Sequence, residues 1–254
     1  MLQDIVAGNV YAFLLIFSRL GSAMMALPGV GENSFPARFR LTVALLMSGL
    51  VVPVIGPTLP PLPAQPMHVA FLVITEIGFG IALGIMIRLL MSAMHVAGTV
   101  IALQAGLASA MLFDPAQGGQ SVVVSSALVF MGIVLVFVTD LHLLSLQAAF
   151  DSYTLFPPMQ APAFGDFATT AVKMVSEGFA LGMRMAAPFI VYGIVFNVAL
   201  GLLNRLMPSL QIFFIMQAPQ IAFSLVVLGL SLGAIGLVFT GHLEEHIAQF
   251  LVKR

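Results

Sequence analysis

A chain of 254 residues that is 60% hydrophobic and only 7% charged has too little polar surface to stay in water. Soluble domains carry about 25% charged residues. The net charge of −1 excludes a basic face for nucleic acid, and the absence of cysteine excludes disulfides and thiolate metal sites. With a mean hydropathy of +1.11, the chain reads as an integral membrane protein or a subunit buried in a larger assembly.

No Lys or Arg precedes the first apolar run, and Asp4 stands where a signal peptide has its basic region, so a cleaved signal is not expected. That run, Val10 to Leu27, is long enough to span and contains Arg19; Pro28 and Gly29 end it. Arg38 and Arg40 close a short polar connection from Glu32 and point to the cytoplasmic side. Leu41 to Ile55 follows, short for a crossing. Prolines at 57, 60, 61, 63 and 66 then predict a stiff, extended connection. Val69 to Met94 is a long apolar stretch holding Glu76 and Arg88, and Val96 to Leu112 is a second, rich in small residues.

The stretch from Gln104 to Gln120 is set apart. It begins as a small-residue helix, breaks at Asp114-Pro115 and carries Gly118 and Gly119. Proline lacks a donor and drives the preceding residue out of helical geometry. Such backbone at membrane depth is tolerated only inside protein or along a wet cavity; the plainer reading is a surface turn between two spanning helices. Ser121 to Thr139 then reads as a span, Asp140 to Asp166 as a mixed connection, and Ala168 to Gly201 as a long apolar stretch. Gln211 to Thr240 is the last apolar stretch. Pro188 and Pro219 predict kinks or breaks, and Gly241 to Arg254 a short amphipathic cytoplasmic helix.

Six apolar segments would leave both ends on one side of the membrane, whereas a cytoplasmic Arg38/Arg40 loop and a cytoplasmic tail demand an odd number of crossings. Either Val96 to Leu112 is a further crossing or part of the chain forms bent hairpins. The polar connections run about ten to twenty residues, too short for a separate core, so residues 1–254 read as a single domain.

Glu76, Arg88, Glu177, Arg184, Arg19 and Arg205 would each cost roughly 2.5–3.5 kcal/mol at a bilayer centre. Glu177 and Arg184 share one helical face; Glu76 and Arg88 do not, and need partners elsewhere. These charges read either as an ion or proton pathway or as pairing within a packed bundle. Gly80 and Gly84, Gly178 and Gly182, and Gly229 and Gly233 each stand one turn apart, a spacing that lets helices approach closely. No enzyme constellation is present. His242 and His246 have ligand spacing, but the intervening glutamates are displaced from the zinc-protease order, so neither a metal nor a cofactor is expected.

The block Phe196-Asn197-Val-Ala-Leu-Gly201-Leu-Leu-Asn204-Arg205-Leu-Met-Pro208-Ser-Leu-Gln-Ile-Phe closely resembles the flagellar biosynthetic protein FliR family. Gln104-Ala-Gly106-Leu followed by Phe113-Asp114-Pro115 is similar to that family's central loop, and Pro28, Gly31, Pro36, Arg38 and Arg40 fit its early connection. Gln217-Ala218-Pro219 departs from it, since a glycine more often precedes that proline. The resemblance implies an all-α, polytopic membrane protein of bent helical hairpins packed in a helical export-gate assembly. It implies FliP-like, FliQ-like and FlhB-like partner subunits, membrane lipid, and unfolded proteins as cargo. The setting it implies is the bacterial inner membrane at the flagellar basal body. A channel plug would fall on Gly106, Met111, Leu112, Phe113, Asp114, Pro115, Gly118 and Gly119, and assembly on Asn197, Gly201, Asn204, Arg205 and Pro208. A virulence type III secretion gate is the alternative within that class, and a secondary transporter or a purely structural membrane scaffold the alternatives outside it.

Overall fold

In a computed structural model, residues 2–31, 36–107, 119–159, 164–207 and 212–251 are described. They form seven α-helices and no strand: α1 (Leu2–Ala26), α2 (Ala37–Ile55), α3 (Pro66–Gln104), α4 (Gly119–Val138), α5 (Leu141–Leu155), α6 (Phe164–Leu206) and α7 (Ile212–Ala248). Five helices are long and apolar enough to cross a membrane, and the bent pair α4–α5 makes a sixth candidate. The protein is therefore an all-α, multi-pass membrane protein.

Local chemistry places most of the boundaries. Pro36, extended at ψ 137°, ushers the chain into α2. A 3₁₀ turn over Gly56–Thr58 begins the proline-rich connection, and residues 59–65 are non-helical as their prolines demand. Gly29 (φ +86°) lies in the turn after α1, where a methyl group would lie 2.9 Å from a carbon of the Phe137 ring.

Three boundaries differ from the sequence expectation. Val69 to Met94 and the start of Val96 to Leu112 are one continuous helix of 39 residues, because neither His95 nor Gly98 removes a backbone donor. It ends at Gln104, ahead of Asp114-Pro115. The supposed connection after Asp140 contains α5, bent by 72° from α4. Asp140 adopts the left-handed conformation (φ 58°) and its carbonyl starts the new helix by accepting the amides of Leu143 and Leu144. The tail is likewise not a separate helix, since α7 runs through Gly241 to Ala248. Pro188 and Pro219 are accommodated inside continuous helices.

The chain divides into two compact units, residues 1–90, 136–174 and 243–254, and residues 91–135 and 175–242. In the first, α1, α2 and α5 pack through Ile16, Leu20, Ala23, Ile55, Ala149 and Tyr153. Gly80 and Gly84 of α3 lie against α1, where a methyl group would collide with the Arg19 carbonyl or approach the Ala23 carbonyl to 2.8 Å. In the second, α3, α4, α6 and α7 approach through Gly98 on Ser125, Gly182 on Val96, and Gly132 on Met94 and Phe239. Gly229 and Gly233 have no neighbour within 4 Å among the described residues. Two of the three glycine motifs are thus used for packing inside the chain, and the third faces outward.

Candidate functional site

The root of the central stretch is a polar node within the second unit. The α3 amides end with Ala105 donating to Ile101 O and Gly106 to Leu103 O, and Gly106 takes φ +76°. Gln220, buried on α7, donates from Nε2 to the Gln104 carbonyl at 3.1 Å, satisfying an acceptor that the helix end leaves open. Its own carbonyl accepts from the Tyr192 hydroxyl of α6 at 2.9 Å and from Ser224 at 2.8 Å. The Gln104 side chain packs on Gly193, where a methyl group would overlap it. One residue type at each of four positions therefore ties the end of α3 to α6 and α7.

Gly106→Val tests this node. The β-carbon would lie 2.8 Å from Gln220 Oε1 at a φ that β-branched residues avoid, so packing and backbone both oppose it. Abundance of the variant in the membrane fraction should fall at least several-fold. Gly165→Val, at a position with nothing within 4 Å, should leave it unchanged. Equal abundance of the two would remove any weight from the node.

A second centre lies inside the first unit. Arg19 and Glu76 are both buried, and the guanidinium meets the carboxylate in a two-pronged pair, with Nη2 3.0 Å from Oε1. Nη1 donates to the carbonyls of Ser152 (3.1 Å) and Phe156 (3.0 Å). The cation also stacks between Tyr153 (4.2 Å to the ring centroid) and Phe79 (5.0 Å). One arginine thus joins α1, α3, α5 and the turn after α5. Both side chains are buried and every guanidinium nitrogen is engaged, the arrangement of a clamp between helices.

The remaining sequence candidates fall in three places. Asn197, Gly201, Asn204 and Arg205 are all exposed on the last three turns of α6, and nothing lies within 4 Å of a methyl group built on Gly201. These four residues of the block that carries the resemblance therefore face away from the rest of the described chain. Arg205 sits in the final turn, where the helix dipole favours a cation. Arg88 and Glu177 are engaged in polar interactions, whereas no ion pair reaches Arg184 among the described residues. Sharing a face with Glu177 does not pair it. Met111, Leu112, Phe113, Asp114, Pro115, Gly118 and Pro208 lie outside the described residues; Gly119 begins α4.

Sequence reasoning missed Gln220, Tyr192 and the pairing of Arg19 with Glu76. A signal existed for the first two: a buried amide and a phenol in otherwise apolar helices each require a partner.

His242, Glu245 and His246 bring their ligand atoms within 4.8 Å of one another on a single stretch of α7. This spacing follows from one helical turn, as the sequence shows.

Comparison with known proteins covers nearly all of this architecture. A family model described as "Bacterial export proteins, family 1" matches residues 10–246. The flagellar biosynthetic protein FliR of Caulobacter vibrioides is 39% identical over 239 residues, covering 94% of this chain and 95% of its own. Proteins of the same name from Bacillus subtilis and Escherichia coli are 28% and 29% identical, over 85% and 82% of this chain and 84% and 78% of theirs. The match over residues 10–246, with 39% identity to a relative covered almost end to end, places the chain in one group: it belongs to the bacterial export proteins, family 1.

Proposed function

We propose that this chain is a subunit of the flagellar type III protein export gate, helping to form and close the channel through which unfolded flagellar proteins cross the inner membrane. The family membership and the FliR relatives support the flagellar class over a virulence secretion gate. A secondary transporter would need two matched broken helices. The long helices α6 and α7 are each continuous, and the buried charge pair is sealed.

The observation that carries the reading is uncovered apolar length. Helices α3, α6 and α7 have 39, 43 and 37 residues, or roughly 58, 64 and 55 Å at about 1.5 Å per residue. A bilayer's hydrocarbon layer is about 30 Å thick. In α6 and α7 only 17% of the most apolar window is buried within the chain. Lipid cannot cover so long an apolar face, so other protein must. FliP-like, FliQ-like and FlhB-like subunits at the flagellar basal body are the proposed cover, with the exposed block Asn197 to Arg205 among the contacts. In this reading the stretch from Gly106 to Gln120 forms the plug.

Expressed alone, the chain should aggregate or be degraded, and co-expression with FliP-like and FliQ-like subunits should restore a soluble detergent complex. Within that complex Arg205→Ala should lower assembly and motility, while Arg254→Ala does little. A stable, monodisperse monomer in detergent would overturn the assignment.

A further inference from the structure

Within the second unit, α6 and α7 enclose a groove of about 520 Å³. Met185 and Ile235 form its buried floor, and Pro188, Leu230 and Ala234 are exposed along its walls. Arg184 is the single charge that lines it; this residue is exposed and reached by no ion pair among the described residues. Pro188, one turn after Arg184, has no N–H to donate to the Arg184 carbonyl.

An unpaired guanidinium in an apolar wall calls for an anion, and the position of Arg184 decides which source supplies it. Arg184 lies 20 residues from Phe164 and 22 from Leu206, about 30 and 33 Å along the helix at about 1.5 Å per residue. With Arg184 near the bilayer centre, no lipid phosphate is within reach. With Arg184 at a headgroup boundary, one whole half of α6 lies outside the hydrocarbon. Each half carries exposed apolar side chains, Val172 and Phe179 on one side, Val191, Ile194 and Val198 on the other. Protein must cover whichever half leaves the lipid, directly beside the groove.

The geometry points to this groove as the docking site for a helix of another subunit, apolar except for one Asp or Glu whose carboxylate pairs with Arg184. Arginine suits the task, since its planar fork binds a carboxylate through two parallel hydrogen bonds and stays charged when desolvated. The inference rests on the reading of the chain as one subunit of a hetero-oligomer, and adds the chemistry of one contact.

A photoreactive residue placed at Ala234, in the whole complex in its native membrane, tests it. Irradiation should join the chain to another subunit, within a turn or two of an Asp or Glu in an apolar helix. Arg184→Glu should reduce assembled complex about tenfold or more, as desolvated charge pairs do when reversed, and changing the partner's acid to Arg should restore it. A lipid adduct alone, no adduct in an assembled complex, or an Arg184→Leu complex at wild-type yield would each overturn the groove assignment by itself. A tagged wild-type chain that isolates with no companion subunit would overturn the export-gate reading and the groove with it.

Discussion

Arg19→Ala should leave the membrane fraction almost without folded protein. The substitution strands the Glu76 carboxylate in a buried site, frees the Ser152 and Phe156 carbonyls, and empties the space between Tyr153 and Phe79. Breaking a buried pair from one side costs about 3–5 kcal/mol, a large fraction of the roughly 5–15 kcal/mol that holds a typical domain folded. Glu76→Ala should do the same from the other side, leaving a buried guanidinium. The double change Arg19→Met with Glu76→Leu removes both charges at similar volume and should recover much of the loss, because apolar replacement of a buried pair is often neutral or stabilising. Abundance in the membrane fraction and resistance to added protease read all three. A double variant as depleted as the single ones would show that the pair does more than hold α1, α3 and α5 together.

The second large effect concerns the central stretch. Met111, Leu112 and Phe113 are bulky and apolar, and directly precede Asp114-Pro115. Hydrophobic constrictions close pores by excluding water. In the proposed plug, methionine would be flexible enough to re-form a seal after cargo has passed. The near end of the stretch is held by the Gln104–Gln220 node, and α4 continues the chain beyond it. Deleting Ala110 to Gly119 should therefore spare assembly and remove closure. A plain inter-helix turn behaves differently: loop-length changes cost little free energy and would leave the membrane tight.

Much of this architecture is legible in the residues. Apolar run lengths locate the long helices, the five prolines from 57 to 66 locate the break before α3, and the Asn204-Arg205 block carries the family. What escapes is whatever depends on distant partners. Glu76 reads as an expensive isolated charge because Arg19 lies 57 positions away, and only the packing of α1 on α3 brings them together. The end of α3 at Gln104 escapes for the same reason, since the Gln220 amide that caps it comes from α7, 116 positions on. Helix α5 is hidden because Asp140 and the prolines beyond 156 bracket a segment of mixed composition, whose Ser145, Asp151 and Ser152 are nonetheless buried. The exposed faces of α6 and α7 show the reverse case: they are legible as apolar runs, but most of their length is left uncovered by the described chain.

The measurement that bears most directly on a chain that forms and closes an export channel is the conductance of reconstituted complexes. Wild-type complex and complex lacking Ala110 to Gly119, each first shown to contain the same subunits, are placed in planar bilayers. The wild type should be closed, and the deletion should pass ions and small molecules continuously. A fully assembled deletion complex as tight as the wild type would contradict the assignment of this stretch as the plug.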